Sequence, residues 1–306
     1  MQLSEIRTRL SDVYGSTLTS DTSFYDRIIN DAYRKLCALQ DWWWLETYEV
    51  LRFNAPMATA HDFLCTAGVA VMSASGTCMI STAYNYGWCF TGNNTYRVTS
   101  VNAAASTVTI DALFLEDSSA YSLTFWNDTL TLPSAFDHVV QIAPRKDPNY
   151  RPLRQVDLEH IEQMGPNLEG YEDSIGVCYA IFRESSIDID QARIRIFPPP
   201  YETAEYAMRY IQNPSVLSAD ADSPLLPTKF HSVLVDMARL ELLKATGAPD
   251  DETASWETEI AKGVNQIVRD QHRKGNKLMQ FGRWGAQHGN VLPFRMTNYT
   301  VGTDTD

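Results

Sequence analysis

Asp188 and Asp190, in the stretch SIDID, form a D-x-D pair that could hold a cation through two carboxylates. In a strand those residues share one face, and a solvated strand face accounts for them equally well without a metal. Asp250, Asp251 and Glu252 make a second acidic group. They stand at the head of a run with helical spacing, where acid in the first turn suits the helix dipole. The six histidines, His61, His138, His160, His231, His272 and His288, contain no i, i+4 pair of the H-E-x-x-H kind. Cys37, Cys65, Cys78, Cys89 and Cys178 contain no C-x-x-C, so free thiols in a reducing compartment are expected. No phosphate-cradling glycine loop, dinucleotide fingerprint or G-x-S-x-G elbow is present. Tyr84, Tyr86, Trp88 and Trp126 could stack on sugars, as in a receptor- or glycan-binding protein, or could form a core or an interface. The pattern predicts no enzyme, no metal and no cofactor.

What remains unexplained is aromatic. Trp42, Trp43 and Trp44 are consecutive, in LQDWWWLE. Successive helical residues turn by about 100°, and strand residues alternate faces, so the three rings leave the chain in more than one direction. Either the chain's own core takes all three, or they serve a subunit or partner interface. The chain has 306 residues and a net charge of −13, which argues against a broad nucleic-acid grip. The opening MQLSEIRTRL is charged where a secretory signal needs an apolar run, and no stretch is long and apolar enough for a membrane span.

The elements that position these residues follow from periodicity. Leu3, Ile6, Leu10 and Val13 fall on one helical stripe, ended by Gly15. Ser20 or Asp21 can cap a second helix, with Phe24, Ile28, Ala32, Leu36 and Leu39 inward and Ile29, Tyr33 and Cys37 widening the face. Residues 46–53 alternate as a strand, and 46–60 form a connection. Residues 61–126 read as an inserted small β-barrel or sandwich, with no Asp, Glu, Lys or Arg between Ala67 and Asn94, so part of it is expected to face another chain. Residues 127–226 read as a β meander with loops and a short helix at 156–164. Ile194 and Ile196 share one strand face, Arg193 and Arg195 the other. Helices return at 228–246 and about 250–274, with Trp256, Ile260, Val264 and Ile267 as the last stripe. The expected fold is α+β. Helices from 1–45 and 227–274 form an antiparallel four-helix bundle, antiparallel β material is inserted, and 275–306 is an extended C-terminal arm.

Four stretches, INDAYRKLCALQDWWWLE, DTLTLPSAFDHVVQI, ARIRIFPPP and PLLPTKFHSVLVDMARLELL, occur in an order and spacing that resembles the head-to-tail adaptor (connector) proteins of tailed bacteriophages. Tail tubular protein A-like adaptors share the helical frame, and 61–126 resembles an insertion that only some members carry. One departure is Ala135 before Phe136, where the pattern more often has an acid. The resemblance implies a non-enzymatic virion protein, assembled in the host cytoplasm and sitting at the head-tail interface. It implies a homo-oligomeric ring of about twelve copies between the portal and a downstream tail or nozzle protein. DNA would pass through the ring without sequence-specific binding. At −13 per copy, such a ring carries on the order of −150 charges, which would let a duplex slide without sticking. Within this reading Trp42, Trp43 and Trp44 are expected at a subunit or partner interface. The arm from Gly275 is expected to bind the portal through Phe281, Trp284, Leu292, Phe294 and Tyr299, anchors too apolar for water on a segment too glycine-rich to fold alone.

Overall fold

The computed structural model describes residues 1–14, 22–59, 62–75, 81–91, 94–145, 151–164, 176–183 and 191–285. It separates into two units, one from Met1–Trp43 with the chain from Val216 onward, the other Trp44–Ser215.

The first unit holds α1 (Leu3–Tyr14), α2 (Thr22–Ala38), α4 (His231–Thr246) and α5 (Asp250–Gly285); α3 (Leu158–Met164) lies in the other unit. α1 packs on α2 and α4, α2 on α4, and α4 on α5. Leu3, Ile6 and Leu10 of α1 are fully buried, as their spacing predicts. α2 buries a wide face through Tyr25, Ile28, Ile29, Ala32, Tyr33, Leu36 and Cys37. Two expected members differ: Phe24 is only half-buried, and Leu39, past the helix end, is 56% exposed. Asn30 is buried in the same face and ties it to the chain at Leu217, accepting from the Leu217 N–H at 2.8 Å and donating to its carbonyl at 2.9 Å. Arg7 bridges Asp26, at 2.8 Å, and Asp220.

α4 ends at Gly247, whose φ of 74° is strained for any residue with a Cβ; its N–H and that of Ala248 return to the last turn's carbonyls. α5 then runs antiparallel to α4. Lys244 meets Glu257 at 2.9 Å near one end, and Lys229 meets Asp270 at 2.8 Å near the other. Between them, a Cβ on Gly263 would lie 2.8 Å from Val233 Cγ2, so glycine sets how closely these helices approach. Of the expected α5 stripe, Ile267 is fully buried and Trp256, Ile260 and Val264 are half-buried. The helix is longer than its sequence suggests, continuing through Lys274 and Gly275 to Gly285. The spacing explains this: Leu278 and Phe281 continue the three-and-four register of Val264 and Ile267. A lone glycine costs about 1 kcal/mol in a helix, too little to end one. The extended arm expected from residue 275 is therefore helical up to Gly285.

The second unit contains three sheets. β1 (Glu46–Phe53), β15 (Ala204–Gln212) and β11 (Phe136–Pro144) form the first, antiparallel with β15 central. β10 (Thr129–Thr131), β14 (Ala192–Phe197), β13 (Cys178–Arg183) and β12 (Arg154–Gln155) form the second. This corrects the meander expected within 127–226. β13 and β14 pair with each other, but β15 joins the other sheet, and β12 lies parallel to β13. The proline run after β14, which cannot donate to a ladder, marks where the chain changes sheets. The two sheets enclose one core that includes Leu51, Phe53, Ile142, Ile194, Ile196, Tyr206 and Met208. On the opposite face of the second sheet, Ile161 of α3 packs with Cys178, Ala180 and Phe197.

The third sheet has eight strands: β2 (Met57–Ala58), β9 (Thr124–Trp126), β5 (Trp88–Phe90), β6 (Thr95–Asn102), β7 (Thr107–Ile110), β4 (Val71–Ala74), β3 (Phe63–Cys65) and β8 (Ser119–Tyr121), in that order. β8 closes one end of the order and β9 lies next to the other, yet only two residues join them in the chain. The sheet must therefore curl. Phe63, Met72, Cys89, Val98, Val108 and Phe125 fill the core it curls around. Seven strands of this rolled sheet, β3 to β9, come from the 61–126 stretch, and Met57–Ala58 supplies the eighth.

Candidate interaction surfaces

β14 is buried along its whole length, including Arg193 and Arg195, each 5% exposed. Alternation places its isoleucines in the sandwich core and its arginines on the far face. There the rolled sheet and α3 cover them. The Arg193 guanidinium lies 3.5 Å from the ring centre of Tyr86, a residue held at φ 63° in the turn before β5. Arg195 meets Glu162 of α3 at 3.1 Å and lies over the Phe182 ring. Asp128, 2% exposed, is the pivot of the arrangement. It accepts from Trp88 Nε1 at 2.8 Å, from Arg97 Nη1 at 3.0 Å and from Thr129 Oγ1 at 2.8 Å, and Arg195 Nε stands 3.7 Å away. Arg97 also stacks over Trp88 and donates to Thr129 Oγ1 at 2.9 Å. Burial lowers the Arg195 pKa, and the neighbouring Arg97 lowers it further, against the pull of Asp128 and Glu162. A buried carboxylate with this many donors fixes the rolled sheet against the second sheet by geometry that only these partners satisfy.

The four aromatics proposed for sugar stacking are thereby accounted for. Tyr84 is buried in the rolled core and donates to the Ala55 carbonyl at 2.8 Å. Tyr86 and Trp88 belong to the arginine junction, and Trp126 packs on Tyr201 with ring centres 5.9 Å apart. They do not form an open platform. Sequence reasoning missed the junction because Asp128 looks like an ordinary turn residue after Trp126, and nothing local links it to β14.

The tryptophans divide between roles. Trp42 is fully buried, its indole N–H donating to the Leu36 carbonyl at 2.7 Å, so it closes the end of α2. Trp44, 8% exposed, belongs to the second unit, and Trp43 between them is half-buried. The outer face of the three-stranded sheet carries a charge ladder. Glu205 takes Arg52 at 3.0 Å and Arg145 at 2.9 Å, and Arg209 reaches Glu46 at 2.6 Å. The hydrogen bond from Arg52 holds the Glu205 carboxyl below its usual range.

Other expected residues fall elsewhere. Asp188, Asp190, Leu292, Phe294 and Tyr299 lie outside the described residues, as do the capping residues Ser20 and Asp21. Phe281 and Trp284 lie on α5. Cys65, Cys89 and Cys178 are buried free thiols and Cys37 is buried, with burial pushing the Cys65 pKa up to about 11. Among the described residues no three His, Cys, Asp or Glu side chains are grouped to hold a metal, and no helix is long and apolar enough to cross a membrane.

A family model described as SU10 adaptor protein matches residues 93–283, more than half of the chain. The matched range opens just before β6 and takes in Arg97, Asp128, Arg193 and Arg195 of the arginine junction, the four-stranded sheet, β11 and β15 of the three-stranded sheet, α4 and most of α5, while β1, Tyr86 and Trp88 precede it. No curated protein matches the chain.

Proposed function

This chain belongs to the SU10 adaptor protein family, phage adaptor proteins with a structural role, and on that premise we propose that it joins portal to tail as a ring. The family match over 93–283 is the observation that carries this reading. The ring has about twelve copies, the number that the resemblance to head-to-tail adaptors implies, and a heterologous contact repeated around an axis closes when its rotation permits. In it, the helices α1, α2, α4 and α5 act as one antiparallel four-helix bundle, and the ring extends the DNA channel below the portal. A lumen that shares the chain's −13 charge repels phosphate, so packaged DNA moves through without adhering.

Two features support an assembly beyond the single chain. Trp256, Ile260 and Val264 of the α5 stripe, and Trp43, are each only partly buried within the chain. A neighbouring subunit would cover both, so of the three tryptophans Trp43 is the one suited to an interface. The portal-binding arm begins as the end of α5, with Phe281 and Trp284, and continues through Leu292, Phe294 and Tyr299. Coupled folding on the portal would bury side chains of this apolar character. The test is a quantitative peptide count in purified phage particles, with a strain lacking the gene. We expect about twelve copies per particle and, without the gene, DNA-filled heads lacking tails. Normal tailed particles without the chain would refute the reading.

A further inference from the structure

Arg97 is the only Lys or Arg between Arg52 and Arg145, and its charge is spent inward on Asp128 at 3.0 Å. The rolled sheet therefore has no other Lys or Arg to turn toward its surroundings. Its apolar residues are not spread evenly over its surface. In the segment after β7, Phe114 is inward and 1% exposed, and Leu113 and Leu115 are outward at 58% and 79%. Backbone hydrogen bonds fasten this segment beside the loop before β4: Gly68 N–H donates to the Phe114 carbonyl at 2.9 Å, and Phe114 N–H to the Val69 carbonyl at 3.2 Å. Val69 and Val71, 41% and 44% exposed, extend the same apolar patch. Exposed Asp111 and Asp117 stand on the same segment, one on each side of the two leucines.

We infer that this patch, Val69, Val71, Leu113 and Leu115 between Asp111 and Asp117, is a docking surface for a protein with an apolar centre and a Lys/Arg rim. Apolar patches edged by polar residues mark protein contacts, and the charges at the edge select the partner. An all-acidic edge repels phosphate, which rules against DNA, and gives no hold to an anionic lipid. It also disfavours a second copy of this patch, which would set acid against acid. The occupant is a different virion protein, so the inference rests on the adaptor reading.

The test uses assembled phage. A photo-crosslinking amino acid replaces Leu115, with a control at Gln141 on the charge ladder, and crosslinked peptides are identified by mass spectrometry. We expect Leu115 to crosslink to one other virion protein, at a peptide with neighbouring Lys or Arg, and the control to give at least tenfold less of that product. In parallel, Leu113→Asp with Leu115→Asp should fold with an unchanged melting curve and enter particles at least tenfold less. A crosslink only to a second copy overturns the choice of occupant. No crosslink in particles that contain the chain overturns the surface. Particles that lack the chain even in wild type overturn the adaptor reading, and this inference with it.

Discussion

Replacing Asp128 by Ala isolates the arginine junction. The carboxylate is 2% exposed and faces Arg97, 12% exposed by its side chain, and Arg195, 7% exposed by its side chain. Alanine removes the acceptor for Trp88 Nε1, Arg97 and Thr129 together and takes from Arg97 its carboxylate partner at 3.0 Å, while Arg195 keeps Glu162 at 3.1 Å. Breaking a buried pair from one side costs about 3–5 kcal/mol, because desolvation of the surviving ion is no longer offset. For a unit of this size each kcal/mol moves the melting temperature by about 2–4 °C, so a fall of roughly 6–20 °C is expected. Urea unfolding followed by tryptophan fluorescence measures the change, and Trp88 lies at the site. A companion variant, Asp128→Leu with Arg97→Met, replaces both charges with apolar groups and should recover a large part of the loss. A cost below about 1 kcal/mol for Asp128→Ala, the range of a surface pair, would refute the reasoning, since it would mean the junction is open to water.

Three further outcomes are expected. Replacing residues 57–126 by a Gly-Ser linker should leave the helical circular dichroism and a cooperative melt, with a lower urea midpoint because Arg193 and Arg195 lose their cover; complete loss of folding would show that the rolled sheet is part of the main core. His231 is 3% exposed, with Nε2 2.7 Å from the Leu226 carbonyl, and burial lowers its pKa. Its folded pKa thus lies below the unfolded value of about 6.5, so its contribution is full above that pH and is lost as pH falls below it. Stability should drop more steeply from pH 7 to pH 5 in the wild type than in His231→Gln, and equal slopes in urea titrations would contradict this. Truncation after Gly285, where α5 ends, should give a folded protein that docks on the portal at least tenfold more weakly; unchanged affinity by sedimentation would place the anchor elsewhere.

Much of the fold was legible because it follows local period. Leu3, Ile6 and Leu10 mark α1 by spacing alone, and the change to period two at Glu46 marks β1. Partner choice is not local. Alternation put Arg193 and Arg195 opposite the isoleucines, but a covered polar face and a wet one have the same alternation. The difference comes from Asp128, Arg97 and Tyr86, all distant in sequence. β15 could not be assigned to its sheet for the same reason, since its register with β1 joins residues more than a hundred and fifty positions apart. The glycines from Gly275 onward suggested a segment unable to fold alone, yet glycine acts by context: Gly247 adopts a left-handed φ and ends α4, while at residue 275 the helix passes through. The interaction patch was partly visible in the charge-free run from Ala67 to Asn94. Its leucines were not, because only the fold brings Leu113 and Leu115 beside Val69.

The most direct test of the adaptor reading is cryo-electron microscopy of the full chain mixed with the portal protein of the same phage, viewed along the particle axis. The account predicts a closed ring of about twelve copies stacked on the portal, with an axial opening wide enough for duplex DNA. A chain that stays monomeric and never sits on the portal would contradict it.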